Sequence, residues 1–168
     1  GGNYGYMSGG APSKNYISKY SFTTDGDDVD VGDLTVTRYS NPAGSSDTTH
    51  GYTAGGNPNT IDRFSFSAGG NAVDVGDLLA AHFGTGSSQS VTYTYVHGGH
   101  PGPINIIQKF AFAASANSTD VGDLTSNKTA SQGCSSTTHG YMPGGSSGVV
   151  IEKYSHSTDG NATDIGDI

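Results

Sequence analysis

One pattern recurs four times along this chain. The frame Tyr-x-x-Gly-Gly begins at Tyr6, Tyr52, Tyr95 and Tyr141, at steps of 46, 43 and 46 residues. Each copy is followed by an apolar, basic, aromatic frame: ISKYSF from Ile17, IDRFSF from Ile61, IQKFAF from Ile107 and IEKYSH from Ile151. A third frame closes the unit: DVGDL from Asp30, Asp74 and Asp120, and DIGDI from Asp164. Three frames in one order, four times over, restrict the chain to a stack of like units. A unit of this length cannot bury an apolar core alone, so each must pack on its neighbours. The frames divide a single repeat domain, residues 1–168, into units at about 1–34 (partial), 35–78, 79–124 and 125–168.

The local signal is β. Ile-x-Lys-Tyr-x-Phe joins β-branched and aromatic residues in a run too short for a helix, bounded by Gly, Asn and Ser. Alternation puts Ile17 on one face and Tyr20 and Phe22 on the other. A strand with large residues on both faces lies between two covers. No segment sustains a 3.6-residue apolar period. Each unit therefore reads as four short antiparallel strands: across RYSNPAGSS from Arg38, at HGYTAGG from His50, at IDRFSF, and at DVGDL with its flank. Only 32% of residues are hydrophobic and 27 are Gly, a composition that disordered chains share; the regular spacing argues for order instead.

This order of features resembles the kelch repeat. The glycine pairs Gly9–Gly10, Gly55–Gly56, Gly98–Gly99 and Gly144–Gly145 match the kelch diglycine, and Tyr20, Phe64, Phe110 and Tyr154 fall where its aromatic falls. The resemblance implies an all-β, kelch-like β-propeller, or part of one, with a four-stranded blade per repeat. The chain departs from kelch in unit length and in having Val31, Val75, Val121 and Ile165 near the usual Trp position. SSTTHGYMPGG and STDGNATDIGDI further resemble a repeat subtype found in predicted virion and tail proteins of marine phages. That likeness implies a virion or extracellular location.

The recurrent aspartates pose a charge problem. Asp30 and Asp33, Asp74 and Asp77, Asp120 and Asp123, and Asp164 and Asp167 hold eight of the fifteen acidic residues. Four of the seven basic residues, Lys19, Arg63, Lys109 and Lys153, also share one repeat position, on the strand just before each pair. Adjacent antiparallel strands can bring such residues within reach. The expectation is a structural ion-pair ladder, with the second Asp of each pair accepting backbone N–H bonds in a turn. Calcium is the other way to relieve crowded carboxylates. Propeller calcium loops use acids at relative positions 1, 3, 5 and 9; the chain offers Asp159, Asn161, Thr163 and Asp167, or Asp25, Asp27, Val29 and Asp33. Units two and three start at Gly69 and Ser115, without a carboxylate. An incomplete ligand set favours no cofactor, with calcium the minor alternative.

Other side chains carry weaker signals. His50 and His139 precede Gly-Tyr in equivalent places and suit packing or hydrogen bonding better than metal binding; His97 and His100 share one polar loop without a carboxylate. No Ser sits in a nucleophile frame, and Cys134, the sole cysteine, has no activating neighbour in the sequence. A net charge of −8 argues against nucleic acid and anionic membranes as partners, and no long apolar run spans a bilayer. The loops Ser8 to Asn15, Ala54 to Asn59, His97 to Pro103 and Pro143 to Gly148 differ most between units, which is where a binding surface belongs. The expected function is a non-enzymatic structural or adhesive module on a virion or extracellular surface, touching glycans or another surface protein. A kelch-type adaptor for protein partners is the alternative, and a sugar-active enzyme a third. A ring of four units closes only with one three-stranded blade, so the expected partners include copies of this chain or further blades.

Overall fold

The structure, a computed structural model, describes residues 2–102, 104–130, 132–146 and 148–168. Its described residues are all-β, without a helix, and form four antiparallel sheets. The first sheet has three strands, β1 (Tyr4–Gly10), β2 (Lys14–Ser21) and β3 (Val29–Arg38). The second has four: β4 (Ala43–Ser46), β5 (His50–Ala54), β6 (Thr60–Ser65) and β7 (Val73–Asp77). The third comprises β8 (Gly86–Gln89), β9 (Tyr93–His97), β10 (Ile104–Ala111) and β11 (Thr119–Lys128). The fourth comprises β12 (Cys134–Ser135), β13 (His139–Pro143), β14 (Val150–Ser155) and β15 (Thr163–Asp167). Strands adjacent in sequence are adjacent in each sheet. One boundary differs from expectation: Arg38 ends β3, paired with Lys14, instead of opening the second sheet. Its side chain is wholly buried, which holds the strand in extended form to that point.

The apolar core is divided into three layers, each between consecutive sheets. Ile17 and Leu34 of the first sheet meet Phe64 and Ala72 of the second. Tyr52, Ile61 and Val75 of the second meet Val96 and Phe110 of the third. Tyr95, Ile107 and Leu124 of the third meet Met142, Tyr154 and Ala162 of the fourth. The β6 strand shows why both its faces are apolar: Ile61 looks forward into one layer and Phe64 back into the preceding one. The residue opposite three of the four central aromatics is glycine for a related reason, whereas Phe110 faces Thr94. Gly5, Gly51 and Gly140 pair with Tyr20, Phe64 and Tyr154, and a Cβ on any of the three would strike the facing ring.

The repeated Asp-Val-Gly-Asp segment is a β-bulge. In all four sheets the register slips where Ile17, Ile61, Ile107 and Ile151 face Gly32, Gly76, Gly122 and Gly166. The glycines have φ of +153°, +149°, +149° and +141°, which side-chain-bearing residues rarely adopt. The first Asp fixes the bulge: Oδ1 of Asp30, Asp74, Asp120 and Asp164 accepts the N–H of the glycine two residues on, at 2.9–3.1 Å.

Candidate functional site

The predicted ladder is not what joins the sheets. Register places Lys19, Arg63, Lys109 and Lys153 across from Val29, Val73, Thr119 and Thr163, one residue short of Asp30, Asp74, Asp120 and Asp164. Neighbouring residues on a strand point to opposite faces, so the cations and the first aspartates diverge. Among the described residues no ion pair links any of these cations to an aspartate of the eight. Lys109 instead reaches Asp159 of the fourth sheet at 2.6 Å and lies over the Tyr93 ring, while Lys19 lies over Tyr4. The second aspartates Asp33, Asp77 and Asp123 act through their backbone. Each donates its N–H to Asn71, Asn117 or Asn161 of the next sheet, at 3.0 Å, and each carbonyl accepts from Ala72, Ser118 or Ala162. Asp167, in the fourth sheet, lies at an exposed end of β15.

Buried charge sits elsewhere. Arg38 and Asp62 are both inaccessible to solvent and pair at 2.5 Å across the first and second sheets. Arg38 also donates to the Gly55 and Thr60 carbonyls, and Asp62 accepts from the Thr35 amide and hydroxyl. Lys128 and Glu152 repeat the arrangement across the third and fourth sheets, at 2.6 Å, with Thr125 in the place of Thr35. The middle joint is neutral: Gln108 accepts from the Leu79 amide and the Ser118 hydroxyl, while His82 turns to the His100 carbonyl. A sequence signal for this existed. The second position of the Ile-x-Lys frame varies as Ser18, Asp62, Gln108 and Glu152, and Arg38, His82 and Lys128 vary with it, base with acid and neutral with neutral.

Three features could meet a ligand. A polar cavity of about 540 Å³ touches the first three sheets and the segment before β12, at the end of the strands that carries the diglycine loops; Ser8, Asn41, Thr53, Thr85, Ser87 and Gln132 contribute to its wall. A second hollow lies at the opposite end of β4, β8 and β12, with Asp47, Gln89, Val91 and Ser135 on its rim. Asp47 there is held down to about 2. Its partial burial acts the other way, but is outweighed by hydrogen bonds from the Thr49 amide and hydroxyl, the His50 amide and the Tyr52 hydroxyl. Burial and that same bond push Tyr52 up to about 12. The imidazoles of His50 and His139 hydrogen-bond the neighbouring hydroxyls of Thr49 and Thr138. His97 is fully enclosed, without a hydrogen bond from either ring nitrogen, and burial drives its pKa down to about 4. Cys134 is exposed. Among the described residues no group of three His, Cys, Asp or Glu is placed to hold a metal ion, and no helix is long and apolar enough to cross a membrane. No family model and no curated protein matches this chain.

Proposed function

We propose that the chain is a kelch-like β-propeller, or a sector of one, and that it serves as a non-enzymatic structural and adhesive module. The observation that carries this reading is the series of four like antiparallel sheets, of which the first three, with the segment before β12, border one polar cavity. The constant part of each unit is spent on sheet-to-sheet joints, and the segments that lead into β4, β8 and β12 line the cavity. Hydroxyl and amide side chains offer donors and acceptors without charge, the chemistry that suits a neutral, hydroxyl-rich glycan. The net charge of −8 disfavours polyanions as ligands. Placement on a virion or other extracellular surface rests on the likeness of SSTTHGYMPGG and STDGNATDIGDI to phage tail repeats. An array of neutral glycans probed with the labelled chain tests the adhesive part. Retention of a defined glycan, weakened at least tenfold by Asn41→Ala or Gln132→Ala, is expected. Retention of none, or retention indifferent to both substitutions, removes the cavity as the contact surface.

A further inference from the structure

The three joints between sheets are built alike, so the two outward faces of the array can be compared with them position by position. At each joint a tyrosine of one sheet packs on two aromatic residues of the next and donates its hydroxyl to the carbonyl of the second. Tyr6 does this with Phe64 and Phe66, Tyr52 with Phe110 and Phe112, and Tyr95 with Tyr154 and His156. The bulge glycine then lies against the following turn: a Cβ on Gly32, Gly76 or Gly122 would strike the backbone of Gly70, Ala116 or Gly160.

The fourth sheet presents the leading half of this joint with nothing upon it. Among the described residues the Tyr141 ring pairs with no aromatic ring but His139, a Cβ on Gly166 would meet nothing within 4 Å, and Ile165 is 47% exposed where Val75 is 6%. The first sheet presents the receiving half. Tyr20 and Phe22 stack edge-on as Phe64 and Phe66 do, yet they are 40% and 64% exposed where Phe64 is 6% and Phe112 is 7%. Among the described residues no hydrogen bond joins the first sheet to the fourth. The receiving turn of the first sheet carries Asp27 and Asp28 where the inner turns carry Asn71 and Ala72, Asn117 and Ser118, or Asn161 and Ala162. A carboxylate at position 27 still accepts an amide N–H.

We infer that the fourth sheet of one copy docks on the first sheet of a second copy, with Tyr141 over Tyr20 and Phe22 and the Asp164–Asp167 bulge on the Gly26–Asp28 turn. Two complementary faces on one chain make this contact head-to-tail. It rests on the propeller reading for its closure: two copies, each with four sheets, make a ring of eight, within the range propellers use. Asp27 and Asp28 of one copy then approach Asp164 and Asp167 of the other. This joint is accordingly weaker than the inner three and is strengthened by salt, which screens the like charges.

Light scattering and sedimentation of the intact chain, across concentration and salt, test this. A species of twice the chain mass is expected, with its dissociation constant lowered at least tenfold by Asp27→Asn together with Asp28→Ala. Phe22→Asp and Ile165→Asp alter exposed side chains, and each abolishes the closed dimer. Mixed together they re-form one intact joint and give an open heterodimer, which two-fold contact between identical faces would not. A larger species dissolved by the same two substitutions upholds the joint and counts against closure as an eight-sheet propeller. A chain monomeric at all concentrations and salts, or a dimer indifferent to Phe22→Asp and Ile165→Asp, overturns the proposal; so does a failure of the Asp27→Asn, Asp28→Ala variant to tighten it.

Discussion

Asp62 accepts from Thr35 twice and from Arg38 once, entirely out of contact with water. Removing one member of such a pair strands the other in a low-dielectric site. Asp62→Ala is expected to cost about 3–5 kcal/mol in urea denaturation. The double change Arg38→Met with Asp62→Leu should cost far less, because neither charge is then left bare. A loss below about 1 kcal/mol for Asp62→Ala would mean that water reaches the guanidinium. His97 makes a second prediction. Its ring binds a proton at about pH 4 when folded, but near the ordinary value of 6.5 when unfolded. Between these limits the unfolded chain holds more protons, so stability falls as pH drops from 6.5 towards 4. The full interval corresponds to about 3 kcal/mol. His97→Phe should flatten that part of the stability profile, read by denaturant midpoints at several pH values. Little of this was legible in the residues alone. Lys19, Arg63, Lys109 and Lys153 were conspicuous because they repeat, whereas Arg38, His82 and Lys128 were overlooked because they change. A fold-level repeat preserves geometry, and these half-buried cations satisfy that without pairing with the repeated aspartates.

At the scale of the element, the bulge and the turn it rests on form one latch. The strands and their order followed directly from the apolar spacing, since Ile61 and Phe64 fall on opposite faces, as a strand covered on both sides requires. The bulge did not, because a one-residue slip leaves no trace in period or composition. Its chemistry can be isolated. Gly122 and Gly166 have φ of +149° and +141°, so replacing either with Ala brings the same backbone strain. Only Gly122 has Gly160 pressed against it. Measured at dilutions where copies are separate, Gly122→Ala should destabilise by about 2 kcal/mol more than Gly166→Ala. Equal losses would show that the latch contributes nothing. Asn117→Ala removes a single amide acceptor and should cost about 1 kcal/mol.

The whole molecule is a linear series of contacts, each sheet supported by its immediate neighbours. Stability in such an array is greatest in the interior. At dilutions where copies are separate, amide exchange should be slowest in β6 and β10, which are covered on both sides by the core layers, and faster in β2 and β14. Uniform protection across the four sheets would contradict a series of independent joints. The same layout limits how an array of this kind can lengthen. Every unit carries the constant parts of a latch, so a duplicated unit would find a place to sit. Its buried polar groups match only if the copied segment carries both members of a pair, however. A tandem copy of residues 39–82, the second sheet with the segment that follows it, would set Asp62 of the second copy against His82 instead of Arg38. That carboxylate would lie in the joint without its guanidinium. Growth by copying a whole sheet is therefore penalised here until the base and acid of the new joint change together, whereas a copy cut at 35–78 carries Arg38 along with Asp62. The identities at positions 38, 62, 82, 108, 128 and 152 thus act as addresses that fix which unit follows which.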